Sequence, residues 1–168
     1  MPTPAGVTAP EAGIGRRFGA AVYETLVVAA IALVAGFAFA PFVSPAAGPS
    51  GPLVVPEGRG RVVGLVGLVA VLAVYFVWSW TAGRRTLPMK TWRLALVDAA
   101  GAPPAVTRAL ARYAAAWLGP MAAVALVGAT HSRYGWLVLA LPWAWAFIDP
   151  ARRFLHDRIA GTRLVRRD

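Results

Sequence analysis

Four long apolar segments separated by polar ones dominate the chain. They cover about Phe18–Phe42, Arg61–Ala82, Ala105–Ala129 and Tyr134–Ile148. Each helical residue adds ~1.5 Å, so about 20 residues cross the ~30 Å hydrocarbon core of a bilayer. The first two segments are long enough to do so. The pattern therefore predicts an all-α fold, a small polytopic membrane helical bundle with about four membrane segments.

The last two apolar segments are less regular than the first two. Pro120 predicts a kink within residues 105–129, because proline removes a helix hydrogen bond. That segment either spans the membrane or lies partly in the interface as an amphipathic helix. Residues 134–148 are short for a crossing and are either kinked at Pro142 or re-entrant. Two models stay open: four crossings, or two with residues 105–148 never fully crossing.

The polar segments predict how the rest of the chain is organised. Residues 1–15 are rich in Pro, Ala and Gly and predict a flexible tail. Residues 44–60 have the composition of a loop. Partial alternation over Trp92–Asp98, followed by turn residues, predicts a short strand or extended hairpin at the cytoplasmic membrane surface. We therefore expect an N-terminal tail, a membrane domain over residues 16–165 and a basic C-terminal end over residues 166–168.

Composition and charge support a membrane location and give an orientation. The 168 residues are 58% hydrophobic and 14% charged, whereas soluble domains average about 45–50% and about 25%. Of the 17 Lys and Arg residues, three fall in the predicted outer loops: Arg59, Arg61 and Arg133. Because cytoplasmic loops carry the excess of Lys and Arg, we predict a multi-pass protein of the bacterial inner membrane with both termini cytoplasmic.

Several classes of function are disfavoured by what the sequence lacks. The chain has no cysteine, and its two histidines, His131 and His156, lie far apart. No zinc spacing, nucleophile elbow or Gly-rich phosphate loop is present. The net charge of +10 comes from residues between apolar segments, without a nucleic-acid-binding motif. We therefore predict no enzyme activity, no cofactor or metal, and no nucleic-acid partner.

One carboxylate lies inside the first apolar segment. Glu24 follows Arg17 by seven residues, two helical turns and about 10.5 Å of rise, so both lie on one side of the helix. A charge at this depth is costly and usually faces protein or water. The separation requires a third partner, for which the C-terminal tail offers His156, Asp157 and Arg158. We predict a cluster of Arg17, Glu24, Asp157 and Arg158, structural or ion- or proton-binding, with His156 as a pH-responsive group.

These residues resemble the RDD family of bacterial membrane proteins. In that family an Arg opens the first span, a small residue and an Asp follow three and seven residues later, and a motif near the C-terminus reads roughly Asp-x-hydrophobic-Ala/Ser-Gly-Thr. The corresponding positions here are Arg17, Ala20 and Glu24, the run His156–Thr162, the middle segment Gly83–Lys90 with Trp92–Asp98 and Gly101, and the helix start Arg108–Tyr113. Glu24 replaces the usual Asp, and Pro88 a usual Gly.

The resemblance and the charges lead to two functional hypotheses. We predict a non-catalytic membrane accessory or scaffold protein whose charge cluster holds the fold. Its lipid- or partner-facing basic residues would be Arg84, Arg85, Lys90, Arg93, Arg108 and Arg112. Their partners would be anionic lipid headgroups, other membrane proteins or a second copy of the chain. The alternative is a small cation/proton transport or antiport component that uses Glu24, because the resemblance implies such exchange for some family members.

Overall fold

The computed structural model describes residues 11–43 and 58–167. Most of the predicted tail 1–15 and most of the predicted loop 44–60 therefore lie outside the described residues, as does residue 168. The main elements, in chain order, are α1 (Ile14–Val43), α2 (Gly58–Trp80), α3 (Leu87–Thr91), β1 (Leu94–Asp98), α4 (Val106–Ala116), α5 (Leu118–Thr130), α6 (Leu141–Ala144), α7 (Leu155–Ile159) and β2 (Thr162–Arg166). Two 3₁₀ helices, Arg133–Ala140 and Trp145–Phe147, flank α6.

Three helical stretches of the described chain are long and apolar enough to cross a membrane: Ile14–Phe42, Gly58–Trp80 and Val106–Thr130. The helices α1 and α2 pack together, and the ring of Phe39 lies where a side chain at Gly67 would stand. Much of the apolar surface of these helices is exposed, which suits lipid rather than water. The predicted membrane helical bundle is confirmed.

The third stretch is interrupted close to Pro120, where the sequence predicts a kink. Pro120 has no N–H to donate to the carbonyl of Ala116, and the helix breaks at Trp117 between α4 and α5. There the Trp117 N–H bonds to the Ala114 carbonyl, at 3.1 Å. The regular α-helical hydrogen-bond pattern is therefore interrupted between α4 and α5.

The fourth apolar segment is divided into short helices, and the stretched geometry of the first one partly offsets the small number of residues. The 3₁₀ helix Arg133–Ala140 rises about 2.0 Å per residue rather than ~1.5 Å, so it covers more distance with fewer residues. It packs against α5 at Gly135, where a Cβ would lie 2.7 Å from Val127 Cγ2. The chain thus leaves along α4 and α5 and returns along residues 133–147.

A polar cap closes one end of the bundle. It consists of α3, β1, α7 and β2 with the first turns of α1 and α4. The strand β1 pairs antiparallel with β2, from Leu94 opposite Arg166 to Asp98 opposite Thr162. The predicted strand is confirmed, but it forms no hairpin with its neighbour in sequence. The Asp98 carboxylate accepts the N–H groups of Ala100 and Ala102, and this turn leads the chain into α4 instead.

Both ends of the described chain belong to this cap. The Ala12 N–H donates to the Leu164 carbonyl at 3.1 Å, and Glu11 forms a bridge with Val165. The prediction of a flexible tail is therefore wrong for residues 11–15, which pair with β2 and begin α1. Arg166 likewise lies in β2 rather than in a separate C-terminal end.

Candidate functional site

Arg17 ties three segments of the cap together. Its side chain is 1% exposed. Its guanidinium donates to the Ala12 carbonyl at 2.7 Å and to the Arg152 carbonyl at 2.8 Å. The same group contacts the Glu11 carboxylate at 3.3 Å and the Leu164 carbonyl at 3.4 Å. These bonds join the start of α1 to the C-terminal tail and leave Glu24 outside the network.

Arg112 and Asp157 form the most deeply buried ion pair of the cap. Their side chains are 5% and 0% exposed, and Arg112 Nη1 contacts Asp157 Oδ1. Arg112 also donates to the Thr162 hydroxyl at 3.1 Å, and its guanidinium lies 4.7 Å from the centre of the Trp80 ring. The prediction that Arg112 faces lipid or a partner is therefore wrong. Its position on α4 points it at α7, which packs against that helix.

Arg158 has a partner that sequence reasoning did not assign to it. Its Nη1 donates to Asp149 Oδ1 at 2.6 Å. Asp149 also accepts the backbone N–H and the guanidinium Nε of Arg153, at 3.0 Å and 3.3 Å. The backbone bond from Arg153, aided by both guanidiniums, lowers the pKa of Asp149 below its ordinary value. Arg158 therefore fastens α7 to the end of the fourth apolar segment, away from Glu24.

His156 lies between the cap and the interior of the bundle. Its Nε2 is 3.9 Å from Asp157 Oδ1. Burial, and then the positive charge of Arg112, hold the pKa of His156 well below its ordinary value of 6.5. The ring is therefore neutral at pH 7, and its response to pH falls in the acidic range.

Glu24 differs from the other predicted cluster residues in its partners. Its Oε1 accepts the Tyr75 hydroxyl at 3.1 Å, and its Oε2 accepts the Thr86 hydroxyl at 2.8 Å. No Lys, Arg or His of the described chain lies within ion-pair distance of Glu24, although Arg112 attracts it electrostatically from farther away. A carboxylate offers about four lone-pair directions, so two remain for another ligand.

Thr86 reaches Glu24 because α3 turns the chain back toward α1. Thr86 is the N-cap of α3, and its hydroxyl accepts the Met89 N–H at 3.3 Å. With that acceptor position filled, the hydroxyl proton is free to point at Glu24. Sequence reasoning missed α3, Thr86 and the inward role of Tyr75. The signal available was a Thr two residues before Pro88, a pattern typical of a capped helix start.

A cavity of about 300 Å³ lies against Glu24. The helices α1, α2 and α4 supply most of its wall, with single residues from α3, β1, α5, α6, α7 and β2. Its charged and titratable lining residues are Arg17, Glu24, Arg112, Tyr113 and His156. The remainder of the lining is largely apolar and aromatic, including Phe76, Trp80, Trp117, Trp143 and Phe154. The structure thus places on a mostly apolar cavity a carboxylate that has no ion-pair partner among residues 11–43 and 58–167.

The other predicted basic residues lie around the cap. Arg84 stacks 4.7 Å from the Trp78 ring and donates to the Trp78 carbonyl at 2.6 Å. Lys90, Arg93 and Arg108 are exposed and Arg85 is partly exposed. Arg108 also donates to the Gly161 carbonyl at 3.3 Å. These side chains form a basic rim at the end of the bundle that carries the cap.

Comparison with known proteins gives one match. The family model described as the RDD family matches residues 11–161, which include α1 to α7, the cap and Glu24. Neither the curated proteins nor the solved structures contain a match to the chain.

Proposed function

Because this chain belongs to the RDD family, a family of membrane-associated bacterial proteins, we propose that it is a cation/proton transport component with Glu24 as its exchange group. The observation that carries the proposal is the setting of Glu24. It lies within a candidate membrane span, lines a cavity and accepts hydrogen bonds from two neutral hydroxyls. The charges around it are otherwise matched within the cap.

The proposed chemistry is a competition for one carboxylate. Protonated Glu24 is neutral, and a carboxylate paired with a bound cation is neutral overall, so either state avoids an isolated charge at membrane depth. Arrival of a cation releases the carboxyl proton to water, and the reverse step releases the cation. No bond other than O–H is broken, so we propose that the chain is not an enzyme and needs no cofactor.

The cap supports this role by holding the ends of the helices in place. Arg17, the Arg112–Asp157 pair and the Arg158–Asp149 pair join α1, α4, α7 and the fourth apolar segment. A rigid cap would keep the Tyr75 and Thr86 hydroxyls on Glu24 while the membrane helices move. We propose that coupling between the two membrane faces requires an oligomer, since one copy encloses little volume.

The sidedness of the protein follows from its charges in the same proposal. The basic rim and the buried arginines belong to the cap, whereas Arg59, Arg61 and Arg133 belong to the opposite end of the bundle. Because Lys and Arg concentrate on the cytoplasmic side, we place the cap and both termini in the cytoplasm, at the bacterial inner membrane. The rim residues then meet anionic lipid headgroups, at about 1 kcal/mol for each charge near the surface.

A second role, the non-catalytic accessory or scaffold predicted from sequence, is favoured by a different observation. The basic rim is exposed around the cap, where it could contact another membrane protein as well as lipid. Under this hypothesis Glu24 is a packing residue and carries no cation. The two roles differ in whether charge removal at Glu24 changes an ion flux.

Proteoliposomes test the proposal directly. The full chain is reconstituted with a pH-sensitive dye inside acid-loaded vesicles, and Na⁺, K⁺ or quaternary ammonium salts are added outside. Quaternary ammonium ions have no N–H, so they cannot alkalinise the vesicles by crossing the bilayer as neutral amines. We expect at least one cation to drive internal alkalinisation, and Glu24→Gln to abolish it, because a neutral amide can release no proton. Glu24→Asp keeps the carboxylate usual in the family and should retain part of the flux.

The matched control is Asp98→Asn. Asp98 is the last residue of β1, outside the candidate spans, and Asn retains the side-chain oxygen that accepts the N–H groups of the following turn. This variant should show the same cation/proton exchange as the unmodified chain. Exchange unchanged in Glu24→Gln, or no flux with any cation tested, would refute the transport role and leave the accessory role.

A further inference from the structure

The cavity beside Glu24 is unbalanced in charge. Of its cationic lining residues, Arg17 has Glu11 as an ion-pair partner and Arg112 has Asp157. Within the described chain, Glu24 has hydroxyl partners but no ion-pair partner. The two pairs cancel, so ionised Glu24 leaves one negative charge on the cavity wall. The site therefore favours a cationic over an anionic ligand.

The rest of the lining indicates what kind of cation fits. Besides Glu24, the side-chain oxygens of the lining belong to Thr25 and Tyr113. Their hydroxyls donate to the backbone carbonyls of Ala21 and Val69. Hard metal cations such as Ca²⁺ and Mg²⁺ take about six or more oxygen ligands, and K⁺ likewise needs oxygens in place of its water shell. The three lining residues with side-chain oxygens, Glu24 included, are too few to replace the water shell of a bare inorganic ion.

Aromatic rings take the place of oxygen ligands. Trp80 is already occupied by the Arg112 guanidinium. The rings that remain in the lining are Phe76, Tyr113, Trp117, Trp143 and Phe154. Aromatic faces attract cations, and cages of such rings bind quaternary ammonium groups. A volume of about 300 Å³ is at the lower end for small-molecule sites, enough for one substituted ring.

We propose that this cavity binds a small organic cation with an apolar body, a tertiary or quaternary ammonium, whose charge is neutralised by Glu24. The inference rests on the proposed function and names the class of cation that exchanges for the proton. The charged and titratable groups facing Glu24 are Arg17 on its own helix, Tyr75 on α2, Arg112 on α4 and His156 on α7. Of these, the two arginines carry their own acidic partners.

Equilibrium binding to the full chain in lipid nanodiscs tests the inference without any gradient. The probes are phenyltrimethylammonium and its uncharged isostere tert-butylbenzene, which differ in one atom, N⁺ or C. We expect titration calorimetry to show binding of the cation at least about tenfold tighter than the isostere, because only the cation pairs with Glu24. This comparison uses the unmodified chain and depends on no variant folding.

Variants locate the bound cation. Glu24→Gln should weaken the binding of phenyltrimethylammonium by about tenfold or more and leave the binding of tert-butylbenzene unchanged. Trp117→Leu removes one aromatic ring from the lining. Because one cation–π contact is lost, the affinity for the cation should fall severalfold. Trp136→Leu removes an exposed tryptophan outside the lining and should change nothing.

Three results would overturn the inference. Equal binding of both probes would indicate an acyl-chain pocket, binding of neither would indicate an unused cavity, and cation binding insensitive to Glu24→Gln would place the cation elsewhere. The outcome is separable from that of the flux experiment. Cation binding without flux refutes transport alone, whereas Na⁺ flux that requires Glu24, without probe binding, refutes the ligand class alone.

Discussion

Asp157 and Glu24 are both carboxylates in the interior of the protein, but their surroundings differ. Asp157 is 0% exposed and contacts the Arg112 guanidinium, which is itself fastened to Thr162 and stacked on Trp80. Glu24 has two neutral hydroxyl partners and an open cavity. Protonating Asp157 would strand a buried cation, whereas protonating Glu24 strands nothing in contact with it. The cap therefore uses its charges to hold the fold, whereas the cavity holds one carboxylate that no cation of the described chain contacts.

The largest expected effect tests the structural side of this comparison. Asp157→Asn removes the negative charge and leaves Arg112 buried without its counter-ion. Breaking a buried pair in this way costs about 3–5 kcal/mol. We expect the variant to melt at a markedly lower temperature in detergent and to give little monodisperse protein in size-exclusion chromatography.

The double variant Arg112→Met/Asp157→Leu is the matched control, because replacing both partners with apolar side chains strands no charge. It should recover most of the lost stability. Asp157→Asn as stable as the unmodified chain would mean that the pair contributes nothing to the fold, and the contrast between cap and cavity would fail.

Much of the helical bundle could be predicted from the pattern of apolar residues, whereas the pairing of strands in the cap could not. The apolar segments gave the two long helices because hydropathy and length are local properties. The break between α4 and α5 near Pro120 followed from the missing proline N–H. The partner of β1 did not follow, because strand pairing between residues 94–98 and 162–166 is a long-range contact that alternation alone does not specify.

Some residues of the candidate site could be predicted from the sequence, but not which of them contact one another. Depth in an apolar segment identified Glu24, and the family resemblance identified Asp157 and Arg158. Which charge pairs with which depends on the rotation of α4 and α7, and that rotation puts Arg112 rather than Arg17 against Asp157. The contact of Tyr75 with Glu24 could not be predicted, because the sequence shows several aromatic residues near the end of α2 but not which of them turns inward.

A smaller effect is expected at the boundary between the two regions. Because the pKa of His156 lies well below 6.5 in the folded state, protonation favours the unfolded state. The stability that neutral His156 contributes is complete above the unfolded pKa of about 6.5 and is lost as pH falls toward the folded pKa. The contribution of this group should therefore make the free energy of unfolding about 1 kcal/mol lower at pH 5.5 than at pH 7.5.

His156→Gln should remove this contribution to the pH dependence of the free energy of unfolding, whatever the substitution does to stability at pH 7.5. The matched control is His131→Gln, since His131 is exposed after α5; it should keep the slope of the unmodified chain. If the free energy of unfolding of His156→Gln changed with pH as in the unmodified chain, the ring would be protonated as easily in the folded as in the unfolded state. The buried, neutral state assigned to His156 would then be wrong.

The smallest expected change in stability, at Glu24 itself, is the one that separates the two regions most sharply. In Glu24→Gln the amide oxygen can still accept the Thr86 hydroxyl, whose orientation is set by the Met89 N–H. The amide NH₂ can donate to the Tyr75 oxygen, because a phenolic hydroxyl both donates and accepts. No contacting cation loses its partner, and a costly charge leaves the membrane interior. We therefore expect the free energy of unfolding to change by less than about 1 kcal/mol, while flux is lost and cation binding is weakened about tenfold or more. A loss of about 3 kcal/mol or more, similar to that of Asp157→Asn, would instead make Glu24 a structural residue of the same kind as Asp157.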